Sequence, residues 1–116
     1  MFNNKLKLLT NNIFILSGAG IDADSGLQTF RSADGLWAGE DIMAICSATG
    51  FKKDPDRVYN FYNKRRREVN NHNVKPNKAH YSLVELEKKY KVNIVTQNIS
   101  GLQSEAGSSS VIEIHG

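Results

Sequence analysis

The chain has 116 residues, a length that suits one domain built around a single hydrophobic core. Its 40% hydrophobic and 23% charged residues are typical of a globular protein, and a net charge of +3 with one short basic run at residues 64–67 does not indicate a nucleic-acid partner. Cys46 is the only cysteine, so the chain by itself can form neither a disulfide framework nor a cysteine zinc site.

The N-terminal residues give no sign of targeting to a membrane or across one. Residues 1–12 lack an apolar stretch long enough for a signal peptide, and the apolar run at residues 13–16 is too short to span a membrane. We therefore expect no membrane partner and a cytoplasmic location, with an organellar matrix as the alternative.

The first predicted strand covers residues 13–16, whose continuous apolar run is typical of a parallel strand buried on both faces. After it, Asp22, Asp24 and Ser25 favour a short helical turn. Residues 28–40 have neither helical nor strand periodicity and predict a long loop, a kind of segment that is often functional.

Three helices are predicted next, and two of them have clear opening signals. One helix begins near Asp41; in the second, Asp54 can cap and Pro55 suits the first turn; the third opens at residues 76–77. The last two helices carry apolar stripes, which are Val58, Phe61, Tyr62 and Val69, and then Ala79, Leu83, Leu86 and Tyr90. The third helix also has two pairs spaced for i,i+4 ion pairing, Glu85–Lys89 and Glu87–Lys91.

Two further strands are predicted at residues 92–95 and 111–114. The order of strand, helices, strand, short helix and strand predicts an α/β fold with an open parallel sheet. Ligands of such sheets bind just beyond the carboxyl ends of the strands, which is where Gly18, Gln97 and His115 stand. Three strand ends are therefore expected to meet at one crevice.

The turn after the first strand, Gly18-x-Gly20-x-x-Ala23, satisfies a loose dinucleotide-binding pattern. Small residues there allow a pyrophosphate to approach the backbone at a helix N-terminus. A purely structural turn accounts for this motif alone about equally well. A dehydrogenase would also need an acidic residue at the end of a second strand roughly 20 residues later, and that region is the irregular loop at residues 28–40.

Taken together, the motifs resemble those of the sirtuins, the NAD-dependent protein deacylases. The residues that carry the resemblance are 18–21 (GAGI), 25–27 (SGL), 29–31 (TFR), 35–37 (GLW), 96–99 (TQNI), 106–108 (AGS) and 115–116 (HG). The resemblance implies that residues 1–116 form one partial, Rossmann-like NAD-binding domain. It also implies NAD-binding roles for Gly18, Ala19, Gly20, Thr29, Phe30, Arg31, Trp37, Gln97, Asn98, Ser100 and His115.

The same resemblance implies a reaction, with His115 and Asn98 as the catalytic residues. In sirtuins the carbonyl oxygen of an acylated protein lysine attacks C1′ of the nicotinamide ribose as nicotinamide leaves. A histidine then takes a proton from the ribose hydroxyls, and the acyl group passes to ADP-ribose. A histidine of ordinary pKa, near ~6.5, is largely neutral at physiological pH and can accept that proton. His72 and His80 lie outside the motifs and receive no role.

Tyr62 and Arg65 resemble the Tyr-x-x-Arg pair of the sirtuin branch that removes succinyl, malonyl and glutaryl groups. Three residues apart on a predicted helix, they share one face. A guanidinium beside a phenol would receive the distal carboxylate of an acidic acyl chain. The alternative is that Arg65 belongs to a solvated basic run and Tyr62 to the core; the wider match favours the acidic-acyl interpretation.

The chain also departs from the sirtuin pattern. Ser100 stands where an aspartate that helps to hold the nicotinamide carboxamide is usual, Asp22 replaces a usual serine, and Gln103 replaces a frequent histidine. The family's zinc is not expected, because its four cysteines are absent, as are the substrate-clamping strand and the second half of the sheet. An exposed edge and apolar face predict self-association or a missing C-terminal portion. An NAD hydrolase and a catalytically inactive NAD-binding or assembly module stay open as alternatives.

Overall fold

A computed structural model of the chain describes residues 11–29, 41–71 and 73–116. Three parallel strands form one sheet in the order β1-β2-β3, and their bounds are Asn12–Ser17, Lys91–Thr96 and Val111–Glu113. β1 and β2 pair in register up to Ser17↔Thr96, and β2 and β3 up to Thr96↔Glu113. The predicted α/β fold with an open parallel sheet is confirmed.

Helices occupy the connections between the strands. A 3₁₀ helix follows β1 at Ala19–Ser25, and the α-helices are α1 (Ile42–Ile45), α2 (Ala48–Lys53), α3 (Pro55–Val69), α4 (Lys78–Leu86) and α5 (Leu102–Glu105). No helix within the described ranges is long and apolar enough to cross a membrane.

The helix starts are set by local capping, as the sequence predicts. The Asp41 carboxylate accepts from the Met43 N–H at 2.9 Å, and the Asp54 carboxylate accepts from the Arg57 N–H at 3.0 Å. Asn77 caps α4 with its side-chain oxygen, which accepts from the Ala79 N–H at 2.9 Å. Each cap satisfies a backbone donor that the first helical turn leaves without an intrahelical partner.

The buried apolar side chains form two groups. Ile45, Val58 and Phe61 lie in α1 and α3, which contact each other and α2, whereas Val92, Ile94 and Leu102 of β2 and α5 form the core beside the sheet. Side chains alternate along each strand, so every second residue of β2 faces this core and the others face away. Val58 and Phe61 belong to the stripe predicted for α3, and both are buried as expected.

The opposite face of the sheet is exposed, which makes one prediction for β1 wrong. Phe14 and Leu16 are 69% and 63% exposed, and Ile112 of β3 is 59% exposed on the same face. β1 is therefore covered on one face only within the described structure. A continuous apolar run indicates that both faces are suited to burial, but it does not show what packs against them.

The face that α4 buries also differs from the predicted stripe. Ala79 is exposed, whereas His80 is fully buried and Leu83, Leu86 and Tyr90 are half-buried. α4 ends at Leu86, so the two predicted i,i+4 pairs do not lie on one helix. Instead, Lys88 pairs with Glu85 at 2.7 Å, and the Glu87 carboxylate accepts from the Ser109 N–H at 3.0 Å.

Candidate functional site

The three strand ends that carry the candidate residues lie side by side at one edge of the sheet. Ser17, Thr96 and Glu113 are in register across β1, β2 and β3, so the segments that follow them leave the sheet together. The pairing continues past the strands, since the Gln97 N–H donates to the Ser17 carbonyl at 3.0 Å and the Ile114 N–H donates to the Thr96 carbonyl at 3.1 Å.

Asn98 joins the first two of these segments directly. Its side-chain Nδ2 donates to the Gly18 carbonyl at 2.9 Å, and its backbone N–H donates to the Thr96 hydroxyl at 3.1 Å. Asn98 is buried, whereas the neighbouring Gln97 is exposed. The two neighbouring side-chain amides therefore have different surroundings. The amide of Asn98 is held inside the protein, and the amide of Gln97 is accessible to a ligand.

The glycine turn has open space where side chains would otherwise stand. Gly18 has φ −140° and ψ −167°, an extended conformation that any residue can adopt. A Cβ built on Gly18 or Gly20 meets no atom within 4 Å. Neither backbone strain nor internal packing thus explains these two glycines, and the free space beside the 3₁₀ helix fits the close approach of a ligand.

A buried polar cluster, formed by Asp22, Ser25, Asn77 and His80, lies behind this turn. His80 Nε2 and Asp22 Oδ1 are 2.9 Å apart, and both residues are buried. Asn77 Nδ2 donates to the Ile21 carbonyl and to the Ser25 hydroxyl, each at 2.8 Å. Sequence reasoning missed His80; its place three residues after the Asn77 cap, where a side chain can reach back to the cap, was the available signal.

A small cavity opens between the cluster and the strand ends. Its volume is about 10 Å³, and Asp22, Asn98, Ser100 and Gln103 are among the residues that line it. A cavity of that size holds one water-sized group. Gln103 is buried and uses its Nε2 to donate to the His80 carbonyl at 3.1 Å, but its Oε1 has no hydrogen-bond partner in the part of the chain that the structure describes. The lining is therefore rich in hydrogen-bond acceptors.

His115 lies at the turn that follows β3 and is exposed to solvent. Because it is two residues beyond Glu113, just as Asn98 is two beyond Thr96, both belong to the same edge of the sheet. An exposed imidazole at this edge is accessible to a ligand bound at the strand ends. The catalytic roles assigned to His115 and Asn98 stay predictions.

Tyr62 and Arg65 lie one turn apart on α3, and each already has its own partners. The Tyr62 hydroxyl is 3.2 Å from Cys46 Sγ, and desolvation together with this contact raises the pKa of Tyr62 to about 12. The Arg65 guanidinium stands over the Phe61 ring at 5.1 Å, and its Nη1 pairs with Glu68 at 2.8 Å. The structure brings the two side chains to one helix face but does not join them by a hydrogen bond.

Several of the predicted NAD-binding residues lie outside the described part of the chain or at its border. Phe30, Arg31 and Trp37 lie outside the described residues, as does His72, and Thr29 is the last described residue before the gap. Across residues 11–29, 41–71 and 73–116, no group of three or more His, Cys, Asp or Glu side chains is placed to hold a metal ion.

Comparison with known proteins gives consistent relatives. A protein deacylase of Helicobacter pylori, named NAD-dependent protein deacylase, is 57% identical over 105 residues, which are 90% of this chain and 45% of that protein. A Campylobacter jejuni protein of the same name is 50% identical over 107 residues, which are 90% of this chain and 45% of that protein. The chain thus spans less than half the length of these curated relatives.

Solved structures agree with the sequence relatives. A Sir2 homologue solved as its NAD complex superposes with a TM-score of 0.77 at 39% identity, covering 90% of this chain and 40% of that one. A structure described as the basis for the mechanism and regulation of Sir2 enzymes gives 0.77 at 39% identity, covering 92% and 42%. The Sir2 family model matches residues 18–116, and the chain therefore belongs to the Sir2 family.

Proposed function

We propose that this chain is the part of an NAD-dependent protein-lysine deacylase that binds NAD and carries the catalytic base, within one partial NAD-binding domain. The observation that supports this most is the common sheet edge shared by the Gly18 turn, the Asn98 segment and the His115 turn. The names of the Helicobacter and Campylobacter relatives point to the same activity.

The residues at this edge suit NAD. The open space at Gly18 and Gly20 leaves room for a pyrophosphate at the start of the 3₁₀ helix. When bound, NAD supplies the ribose carbon that accepts the acyl oxygen and the nicotinamide that leaves. The single cysteine, by contrast, does not fit the four-cysteine zinc site of the family.

Three side chains would bind the ribose hydroxyls or take a proton from them. Asn98 is fixed by its bonds to Gly18 and Thr96, so it presents its free carbonyl oxygen in one orientation and loses little entropy when it binds a hydroxyl. Gln97 offers an exposed amide that can both donate to and accept from ribose hydroxyls. His115 is the base that takes a hydroxyl proton, and its exposure lets that proton pass on to solvent.

The acyl group that we propose is acidic, of the succinyl or malonyl class. The Tyr62 phenol is protonated at physiological pH and can donate a hydrogen bond to a carboxylate. Arg65 supports the same idea, because its Nε is buried and has no partner among the described residues. A distal carboxylate would satisfy that donor, and a neutral acetyl group would not.

The substrates we propose are acylated lysines on proteins, and a cytoplasmic location stays a prediction.

Nicotinamide release from NAD tests the proposed function. The release is measured with a succinyl-lysine peptide, with an acetyl-lysine peptide and without peptide. Release that requires peptide supports the deacylase. Release without peptide indicates an NAD hydrolase, and no release under any condition indicates an inactive binding module.

Two variants locate the chemistry in that assay. His115→Ala removes the base, so peptide-dependent turnover should fall by at least about 100-fold. Arg65→Met should lower turnover of the succinyl peptide and leave the acetyl peptide nearly unchanged. Equal loss for both peptides would contradict the acidic-acyl preference, even if the deacylase activity itself is found.

A further inference from the structure

The side chain of Arg65 has more donors than the described structure uses. Only 13% of this side chain is exposed, and it lies against the Phe61 ring at 5.1 Å. A guanidinium has five N–H donors. Nη1 donates to Glu68, while the buried Nε has no hydrogen-bond partner among the described residues. A mostly buried cation with an unused donor is costly unless an anion completes its coordination.

Glu68 is the carboxylate that now holds this cation. It stands three residues after Arg65 on α3, and the Nη1–Oε2 distance of 2.8 Å is that of a charge-assisted hydrogen bond. The Glu68 side chain is 40% exposed, so it reaches Arg65 from the solvent side. Its contact engages one guanidinium nitrogen only, which leaves Glu68 free to turn into solvent when another carboxylate arrives.

We propose that Glu68 is a specificity-determining residue that competes with the acyl carboxylate for Arg65. This inference rests on the acidic-acyl preference proposed above. An incoming succinyl or malonyl carboxylate meets Arg65 with Nη1 occupied and a negative charge within one helical turn. It must either displace Glu68 or bind beside it against like-charge repulsion. Glu68 therefore lowers the affinity for acidic acyl groups and leaves neutral ones unaffected.

The test compares Glu68→Gln with Glu85→Gln. Glu85 also forms an i,i+3 pair, at 2.7 Å to Lys88, but on the exposed side of α4, so both variants change the net charge of the protein equally. Binding of labelled succinyl-lysine and acetyl-lysine peptides is followed by fluorescence anisotropy, which does not depend on turnover, and the KM values are measured alongside.

We expect Glu68→Gln to bind the succinyl peptide about two- to fivefold more tightly than the unaltered protein, the size of effect that one partly exposed ion pair has. The gain should shrink at high salt, because charge screening weakens the competitor. The acetyl peptide and the Glu85→Gln variant should show no change. Unfolding midpoints of both variants check that neither effect comes from altered folding.

The remaining outcomes distinguish a failure of the Glu68 competition from a failure of the acidic-acyl preference on which it rests. If Arg65→Met loses the succinyl preference but Glu68→Gln binds no more tightly than the unaltered protein, Glu68 orients Arg65 and the competition is overturned alone. If the unaltered protein does not prefer the succinyl peptide, or binds neither peptide even as Glu68→Gln, the acidic-acyl preference fails and the competition fails with it.

Discussion

His80 and Asp22 form a buried hydrogen bond, 2.9 Å long, between residues 58 positions apart in the chain. The backbone N–H of Asn77 donates to His80 Nδ1 at 3.0 Å, so that nitrogen carries a lone pair and the ring proton is on Nε2. The Nε2–H therefore donates to the Asp22 carboxylate. One imidazole thus connects the cap of α4 with the helix that follows the glycine turn.

This bond is the centre of a network that holds the candidate site from behind. Asn77 binds the 3₁₀ helix at Ile21 and Ser25, and Gln103 brings α5 to the same place through the His80 carbonyl. Hydrogen bonds thus connect the 3₁₀ helix to α4, and α4 to α5. A site whose backbone must stay within hydrogen-bonding distance of a ligand gains accuracy from such support.

Replacing His80 with alanine should strongly destabilise the protein. The variant leaves the Asp22 carboxylate buried without its donor and the Asn77 N–H without its acceptor, and it opens a cavity in the core. Leaving a buried charged acceptor without its donor costs about 3 kcal/mol or more. Urea unfolding followed by circular dichroism measures the change in the free energy of unfolding.

His115→Ala is the matched control, because it makes the same substitution at an exposed position. Its unfolding free energy should differ from that of the unaltered protein by less than about 0.5 kcal/mol. Comparable losses in the two variants would show that the His80–Asp22 bond contributes nothing specific to folding.

Asn98→Asp tests the contact that joins the two strand-end segments. Aspartate has no N–H, so it would place a carboxylate oxygen against the Gly18 carbonyl that now accepts from Nδ2. The lost donor and the new repulsion should lower the free energy of unfolding by about 1–3 kcal/mol and weaken NAD binding measured by calorimetry.

Asn93→Asp provides the comparison on the neighbouring strand β2. There the Ser110 hydroxyl donates to Asn93 Oδ1 at 3.2 Å, and aspartate keeps that acceptor. Asn93→Asp should therefore change stability and NAD binding much less than Asn98→Asp. If the two variants weaken NAD binding equally, the effect comes from added charge and the Asn98–Gly18 contact has no special part in it.

The strands and helix starts could be predicted because their signals are local. The strand patterns at residues 13–16 and 92–95 and the caps at Asp41 and Asp54 depend on residues within a few positions of each other. The common edge of Gly18, Gln97 and His115 then follows from parallel topology, since carboxyl ends of adjacent parallel strands lie together. Local sequence patterns and the rule for parallel strands therefore account for most of the sheet, the helix starts and the position of the candidate site.

What could not be predicted depends on partners far apart in the chain. His80 is buried because Asp22 and Gln103 satisfy its polar atoms, and neither lies near it in sequence. The apolar pattern alone therefore placed Ala79 on the buried side of α4. The partners of Tyr62 and Arg65 escaped prediction in the same way, because helical spacing shows which residues share a face but not what each side chain contacts.

The exposed face of the sheet predicts association between molecules. Phe14 and Leu16 lie on β1, the end strand of the sheet among the described residues, and their apolar side chains are exposed there. The apparent mass measured by size-exclusion chromatography with light scattering should therefore rise with protein concentration. The double variant Phe14→Ser with Leu16→Ser should shift the protein toward the monomer.

The control for this experiment is Ile42→Ser with Met43→Ser, a pair on α1 whose side chains are 50% and 67% exposed. That pair lies outside the sheet, so its replacement should leave the association unchanged. A monomer at every concentration, or equal shifts for the two double variants, would count against the sheet face as the interface.

Tyr62 predicts a loss of stability at high pH. Its pKa in the folded protein is raised to about 12, first by desolvation and then by the Cys46 contact, from 10.0 for an ordinary tyrosine. Because the folded state holds the proton more tightly, the contribution of Tyr62 to stability is complete below pH 10.0 and is lost as the pH rises from 10.0 to about 12. The free energy of unfolding should therefore decline over this range, and that of the Tyr62→Phe variant should decline less.

Cys46→Ala tests which cause raises the Tyr62 pKa. The variant should lower this pKa only in part, since burial is the larger cause, and ultraviolet titration of tyrosinate measures the pKa in both proteins. If Cys46→Ala restores an ordinary pKa in full, the thiol and not the desolvation controls Tyr62.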